Sequence, residues 1–330
     1  MIKEYCHGVP MYSVRGREMM QKEKDAVERL KAFEPKDGEP YYLCYSGGKD
    51  SDAIRILAQL AGVRHEIHHN LTTVDAPETI AYIQSIPNVM IDKARYDDGT
   101  PKTMWNLIPK KKMPPTRIAR WCCAELKEVG GKGRLKITGV RWDESQKRKA
   151  NSDVVNVIGK PKETQRFFEE NNIDFTISKL GGVVLSVQSG DNEALRDQAD
   201  IVHHCYRDRS VTVNPIVDWT DKEVWDFLHH YGCAGNPLYQ CGEKRIGCIG
   251  CPLSGSKRQK MDFLRYPKYK ANYIRAFDKM LKVRKESGLT NTQNWQTGLD
   301  VFKWWLGENV DQLTLFDEDE LYEILSDMGG

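Results

Sequence analysis

Ser46-Gly47-Gly48-Lys49-Asp50-Ser51 stands directly behind the apolar run Tyr41-Tyr42-Leu43-Cys44-Tyr45 and directly ahead of Ala53, Ile54, Ile56, Leu57 and Leu60, which recur at helical spacing. The order reads as a strand, a tight loop and a helix start. Two glycines let the backbone fold closely around an anion, the helix N-terminus turns unpaired N–H groups toward it, and Lys49 adds a point charge. The loop is suited to phosphate. Its spacing fits neither the G-x-x-x-x-G-K-[ST] loop nor the dinucleotide fingerprint G-x-G-x-x-G. An ordinary glycine turn would need neither the lysine nor the flanking serines.

Outward from this loop the same alternation continues. Residues 65–69 and 135–140 read as strands, 77–84 as a helix, and 14–33 as an amphipathic helix laid ahead of the first strand. Such β-α alternation predicts an α/β fold, a parallel twisted sheet with helices on both faces, followed by a mainly helical, cysteine-bearing C-terminal region. Ligands of such sheets lie at the carboxyl ends of the strands, where the loop at 46–51, the segment at 73–79 and Arg141 are expected to converge. A helix follows Thr220, and 266–285 and 319–327 read as later helices. The long connection between Arg141 and Asn214 carries a helical stretch at 162–171 and an apolar run at 177–185. The expected organisation is an N-terminal helix (1–35), a nucleotide-binding core (36–150), an inserted segment (151–205), completion of the core with a cysteine segment (206–255) and a helical region (256–330).

The 330 residues are 40% hydrophobic, ordinary for a folded globular chain, and the net charge of +2 says nothing about nucleic acid. Locally, Lys110-Lys111-Lys112 with Lys102, Arg117 and Arg120 form a basic stretch, read either as solvated surface or as a track for a polynucleotide backbone. Asp317 to Glu320 are acidic. No apolar signal region opens the sequence and no window is long and uncharged enough to span a membrane, so a cytoplasmic protein without a membrane partner is expected.

Nine cysteines in such a chain argue for metal rather than disulfides. Cys122 and Cys123 are adjacent, and Cys248 and Cys251 form C-x-x-C between glycines and Pro252. Four thiolates suit a tetrahedral sulfur site. An adjacent pair bites awkwardly on one zinc ion, whereas an iron-sulfur cube offers separate corners. A rival ligand set is Cys233, Cys241, Cys248 and Cys251, which would leave Cys122 and Cys123 without a role. Cys6, Cys44 and Cys205 read as buried thiols. The adjacent histidine pairs at 68–69, 203–204 and 229–230 are left out of the metal set, because neighbours on a strand point to opposite faces.

These motifs resemble the phosphoadenosine phosphosulfate (PAPS) reductase-like family of the PP-loop, adenine-nucleotide α-hydrolase superfamily. Ser46 to Ser51 is similar to the PP-loop, and the Cys-Cys pair upstream of C-x-x-C resembles the family's iron-sulfur branch. Val74-Asp75-Ala76-Pro77-Glu78-Thr79 resembles the substrate-side Pro-Glu-Thr segment, and Gly139-Val140-Arg141 with Glu144-Ser145 the Gly-Val-Arg-x-x-Glu-Ser motif. Asn214-Pro215-Ile216-Val217-Asp218-Trp219, then Asn236-Pro237-Leu238-Tyr239, complete the family order.

The resemblance implies binding of ATP or a related adenine nucleotide by Ser46, Gly47, Gly48, Lys49, Asp50, Ser51, Glu78 and Arg141. Lys49, Asp50 and Arg141 would be catalytic, with Asp50 on Mg²⁺, and Cys122, Cys123, Cys248 and Cys251 would hold a 4Fe-4S cluster. Reductases of the family carry a catalytic cysteine in a C-terminal Glu-Cys-Gly motif, and here no cysteine follows Cys251. The leading expectation is therefore an ATP pyrophosphatase that adenylates an acceptor for sulfur incorporation, similar to the iron-sulfur component of DNA phosphorothioation systems. A cysteine desulfurase would donate sulfur and nucleic acid would accept it. A sulfonucleotide reductase and a non-catalytic nucleotide-binding regulator are the alternatives, and the oligomeric state, a homo-oligomer included, is left open.

Overall fold

The computed structural model describes residues 19–150, 152–158, 210–289 and 295–308, with residue 166 and the short stretches 5–6, 9–10, 169–170, 176–177 and 183–185. It divides into two compact units, one of residues 1–69, 78–92 and 130–246, the other of 70–77, 93–129 and 247–330. The helix expected at 319–327 and the residues His203, His204 and Cys205 lie outside the described residues, as does the 162–171 stretch except for residues 166 and 169–170, which are helical.

Ten strands are described: β1 (Tyr5–Cys6), β2 (Val9–Pro10), β3 (Tyr41–Cys44), β4 (His65–Asn70), β5 (Val89–Asp92), β6 (Lys136–Ile137), β7 (Val155–Ile158), β8 (Thr176–Ile177), β9 (Val183–Leu185) and β10 (Ser210–Val213). In the first unit β1 and β2 form an antiparallel pair, and the other eight form one sheet in the order β5-β4-β3-β6-β10-β7-β9-β8. β4, β3, β6 and β10 run parallel, with Tyr41 opposite His65 and Leu43 opposite Ile137. Parallel strands covered on both sides are apolar throughout, and Tyr41, Leu43, Ile137, Val211 and Val213 are all fully buried. β7, β9 and β8 extend the edge in antiparallel fashion; they come from the long connection at 151–205.

The helices of this unit are α1 (Gln21–Ala32), α2 (Lys49–Ala61), α3 (Pro77–Ser85), the single turn α5 (Gln146–Lys149) and α6 (Asp221–His230). α1 and α6 both pack on α2. α2 starts four residues earlier than its apolar pattern, with Gly48 as N-cap, and ends at Gly62 in the left-handed conformation. From β3 the chain passes through α2 to β4 and then β5 on one flank, and later returns to β6 on the other. That reversal makes the carboxyl end of β3 the topological switch point, and the loop at 46–51 leaves from it. β6 is shorter than expected because its ladder closes after Ile137, beyond which only the Thr138 N–H bonds to Val213.

The second unit holds α4 (Met104–Lys111), α7 (Ser256–Arg265), α8 (Pro267–Glu286) and α9 (Gly298–Trp305). α8 packs on α4, α7 and α9 around Phe263, Tyr273, Phe277, Phe302 and Trp305, and the Trp305 indole donates to the Pro115 carbonyl at 2.6 Å. Neither α7 nor α9 was expected: both are short, and α7 carries lysines and arginines between its apolar positions. Among the described residues no helix is long and apolar enough to cross a membrane.

Candidate active site and cysteine centre

The first site forms where α2 begins. Gly47 has φ of 73°, and a Cβ there would stand 3.0 Å from Ile83, so only glycine turns the loop here. The Gly47 carbonyl accepts from Asn236 Nδ2 at 3.0 Å, and the same amide donates to Thr79 Oγ1 at 3.2 Å. The Gly48 N–H donates to Ser51 Oγ at 3.1 Å, and that hydroxyl donates back to the Gly48 carbonyl at 2.7 Å. The Lys49 N–H donates to the Tyr239 hydroxyl at 3.0 Å. Glycine loop, α3 and the 236–239 turn are thereby one braced assembly.

Its charges form a quartet. Arg141, fully buried, donates through Nε to Asp50 at 2.7 Å and through a terminal nitrogen to Asp221 at 3.0 Å; Lys49 Nζ lies 3.0 Å from the same Asp221 carboxylate and 3.6 Å from Asp50. A further guanidinium nitrogen donates to the Trp219 carbonyl, which fixes the plane of the group. Desolvation opposes charge on Asp221, but the hydrogen bonds and charges of Lys49 and Arg141 outweigh it and hold its carboxyl below the usual range. Asp143 adds a third carboxylate at 3.5 Å from Arg141. Two buried cations held this way among carboxylates can exchange those partners for phosphate oxygens, and the carboxylates so released can meet a divalent cation.

The second site is built on sulfur. Cys122 precedes the π-helical turn Cys123–Lys127, and the C-x-x-C turn is held from all sides. The Ile249 N–H donates to the Val74 carbonyl at 2.7 Å, the Gly250 N–H to Asp262 at 3.0 Å, Gln259 to the Gly250 carbonyl at 3.0 Å and the Tyr273 hydroxyl to the Ile249 carbonyl at 3.3 Å. Gly250 has φ of 69°, and a Cβ there would fall 2.4 Å from Phe263. Cys248 donates to Thr72 Oγ1 at 3.6 Å.

The four thiols are electrostatic neighbours. Cys122 donates to Cys123, which raises the first and draws the second down to about 6; Cys248 and Cys251 add to the rise at Cys122. Desolvation, then Asp75, pushes the Cys248 thiol up to about 12. Crowding opposes the Lys127 ammonium, yet Cys248, Cys123, Asp75 and Cys251 together hold it above the usual lysine range. Among the described residues no three thiol, imidazole or carboxylate groups are close enough to hold a single metal ion. The donor chemistry, four sulfurs with one lysine among them, is nonetheless that of a thiolate-bound group.

Residues 40–254 match the phosphoadenosine phosphosulfate reductase domain. The chain belongs to the phosphoadenosine phosphosulfate reductase family. Its family relatives include two uncharacterized proteins of Methanocaldococcus jannaschii, one 24% identical over 82% of this chain and 56% of its own length, the other 24% identical over 70% of this chain and 40% of its own. The chain thus spans about half the length of these relatives. A phosphoadenosine 5'-phosphosulfate reductase of Xylella fastidiosa is 39% identical over 20% of this chain and 27% of its own length, and an adenosine 5'-phosphosulfate reductase of Bacillus thuringiensis is 34% identical over 18% and 25%.

Members of this PAPS reductase family bind adenine nucleotides, and Ser46, Gly47, Gly48, Lys49, Asp50, Ser51 and Arg141 are gathered at one place here, with Ser46 and Ser51 hydroxyls 3.4 Å apart. Glu78 is half-buried in the first turn of α3, and its neighbour Thr79 is the α3 side chain that meets the loop's amide support. Cys122, Cys123, Cys248 and Cys251 belong to the second unit, while Cys233 and Cys241 belong to the first, Cys233 buried 3.9 Å from Tyr82 and Cys241 exposed. His68 bonds Asp92 at 2.8 Å and His69 the Tyr45 carbonyl at 3.0 Å, so both serve the sheet. Asp221 was missed: as the first residue after the Thr220 cap it reads as an ordinary acidic helix start. Asn236 and Tyr239 were visible as a motif, but nothing local told that they hold the glycine loop.

Proposed function

We propose that this family member is an ATP pyrophosphatase that adenylates an acceptor oxygen and so opens it to sulfur incorporation. The observation that carries this is the quartet of Lys49, Arg141, Asp50 and Asp221 beside the glycine loop. A triphosphate with its divalent cation needs cations for its oxygens and carboxylates for its metal, and both are there. Mg²⁺ is characteristically held by one or two carboxylates together with substrate phosphates, which Asp50 and Asp221 fit.

The Gly47 N–H and the Ser46 hydroxyl cradle the phosphates, joined by the Gly48 and Lys49 N–H groups and the Ser51 hydroxyl as these exchange their internal partners for phosphate oxygens. The acceptor oxygen bonds to the α-phosphorus while the bond from that phosphorus to the bridging oxygen breaks, and pyrophosphate leaves with the electron pair. Lys49 and Arg141 neutralise the charge gathering on the leaving group, and Asp50, drawn off Arg141, would hold the divalent cation that accompanies the triphosphate. A cysteine desulfurase's persulfide then attacks the adenylated acceptor through its outer sulfur while the acceptor–oxygen bond breaks and AMP leaves; a dithiol reductant cleaves the remaining S–S bond, is oxidised to its disulfide, and frees the desulfurase thiol. Nucleic acid is the acceptor of choice, as in phosphorothioation. Cys122, Cys123, Cys248 and Cys251 would hold a 4Fe-4S cluster; when bound it supplies sulfur-handling or redox capacity.

The named relatives favour one other activity, reduction of a sulfonucleotide. An anaerobic assay with ATP, and separately with PAPS or adenosine phosphosulfate plus reduced thioredoxin, decides between them. Pyrophosphate from ATP without sulfite is the expected result; sulfite from a sulfonucleotide would replace this proposal by the reductase.

A further inference from the structure

The second unit contains a small cavity of about 180 Å³ lined by Tyr96, Asp97, Lys102, Leu107, Lys110, Lys111 and Glu125. Three of its seven residues are lysines. Lys102 and Lys111 each reach a different oxygen of the Glu125 carboxylate at 2.6 Å, so one acidic group holds two ammoniums side by side and is itself fully paired. Lys110 lies 3.8 Å from the centre of the Tyr96 ring and is solvent-exposed; among the described residues no carboxylate makes an ion pair with it. Lys102 flanks the same ring at 5.4 Å. Lysines in the last turn of α4 offset the negative end of that helix. The wall therefore offers one exposed cation resting on the Tyr96 ring, two more held on Glu125, and one acidic neighbour, Asp97.

The size of the cavity narrows the ligand. Pockets that enclose whole small molecules measure roughly 300–1,000 Å³. This one takes a single group of a larger molecule whose bulk stays outside. Lys112, next in sequence, does not join it: its ammonium donates to Ser287 at 2.8 Å and its carbonyl accepts from Arg284. The basic run therefore separates into two lysines at the cavity and one spent on tying α4 to α8.

We propose that the cavity of Tyr96, Lys102, Lys110 and Lys111 is a seat for one phosphodiester group of a nucleic-acid acceptor. This rests on the adenylation proposal above only for the word acceptor. Lys110 meets the phosphate first, Lys102 and Lys111 close on it while keeping Glu125, and Tyr96 packs against the sugar. DNA and RNA share this backbone chemistry, and a free nucleotide offers the same phosphate without the polymer.

The test uses the full chain, titrated by fluorescence anisotropy against labelled single-stranded and duplex DNA and single-stranded RNA at several salt concentrations. Lys110→Glu should weaken binding at least 10-fold and reduce the slope of log affinity against log salt by about one. Lys112→Glu, the same charge change outside the cavity, should leave both near wild type. AMP and inorganic phosphate at millimolar level should not displace the oligonucleotide; displacement by AMP would assign the seat to a free nucleotide and overturn the proposal. Equal loss in both variants, unchanged binding in Lys110→Glu, or no oligonucleotide binding by the wild type would also overturn it. Pyrophosphate release from ATP, measured on the same samples, tells the failures apart: release without oligonucleotide binding defeats only the seat, and binding without release defeats only the adenylation.

Discussion

The glycine-loop site and the cysteine site solve opposite electrostatic problems. In the first, two buried cations meet carboxylates at the site's open edge, with Asp221 facing both Lys49 and Arg141 at 3.0 Å. In the second, four thiols lie within electrostatic reach of one another, and losing protons would add like charges, with Lys127 as the compensating group. The first arrangement is complete as it stands and gives up internal pairs when an anion and a cation arrive together. The second gains a reason to hold thiolates only from something positive that bridges them. Polar groups at a site thus tell whether the ligand replaces existing partners or supplies missing ones.

The largest effects should come from crossing the two sites. Asp50→Ala should lower pyrophosphate release by at least about 100-fold, the scale of removing one group that stabilises developing charge, with sulfur-bound iron unchanged. Cys248→Ser should do the reverse, losing iron by elemental analysis while retaining ATP binding by calorimetry. Undiminished turnover in Asp50→Ala would remove that residue from the mechanism, and iron retained in a Cys122→Ser/Cys123→Ser double variant would move the ligand set to Cys233 and Cys241.

A smaller effect should appear in the backbone. Gly250→Ala forces a Cβ against Phe263 at 2.4 Å in a left-handed turn and should cost roughly 2–3 kcal/mol, lowering Tm by about 3–4 °C. Gly47→Ala is also left-handed but meets the Ile83 and Thr79 side chains at 3.0–3.2 Å rather than a ring at 2.4 Å, so it should be milder in Tm, its main effect a roughly 10-fold rise in KM for ATP. Calorimetric melts beside steady-state kinetics separate the two.

The smallest effect concerns pH. The folded state holds the Asp221 carboxyl below its unfolded value, so its contribution to stability is full above about pH 4 and fades as pH falls through the lower, folded value. Its side chain is 56% exposed, which screens the pairing, so less than about 1 kcal/mol is at stake. Asp221→Asn should melt slightly below wild type at pH 6, and the gap should narrow on acidification toward pH 3. A constant gap would mean the carboxylate's charge contributes nothing.

The parallel core was legible because β3 is an uninterrupted apolar run and α2 repeats its apolar residues at helical spacing; both are short-range patterns. β5 was not, since Val89-Met90-Ile91-Asp92 is too short to show a period. Of the antiparallel strands, β8 and β9 were seen only as the apolar run at 177–185 and β7 was not seen, because an edge strand's pairing depends on which neighbour it finds. The lysine run 110–112 looked uniform, yet Lys112 faces Ser287 and Lys110 faces Tyr96, since successive helical residues point about 100° apart and the left-handed turn at Lys112 redirects the last one.

By itself the sequence determined the strand, glycine loop and helix start at 41–60, the α/β alternation around it, and the Cys-Cys and C-x-x-C elements, because each is a matter of neighbouring residues and backbone preference. Only the tertiary structure decided that Asp221 is the carboxylate shared by Lys49 and Arg141, 80 residues from the arginine, and that Asn236 and Tyr239 brace the loop across nearly 190. Contacts at that separation follow from strand order and helix packing, which a local pattern does not contain.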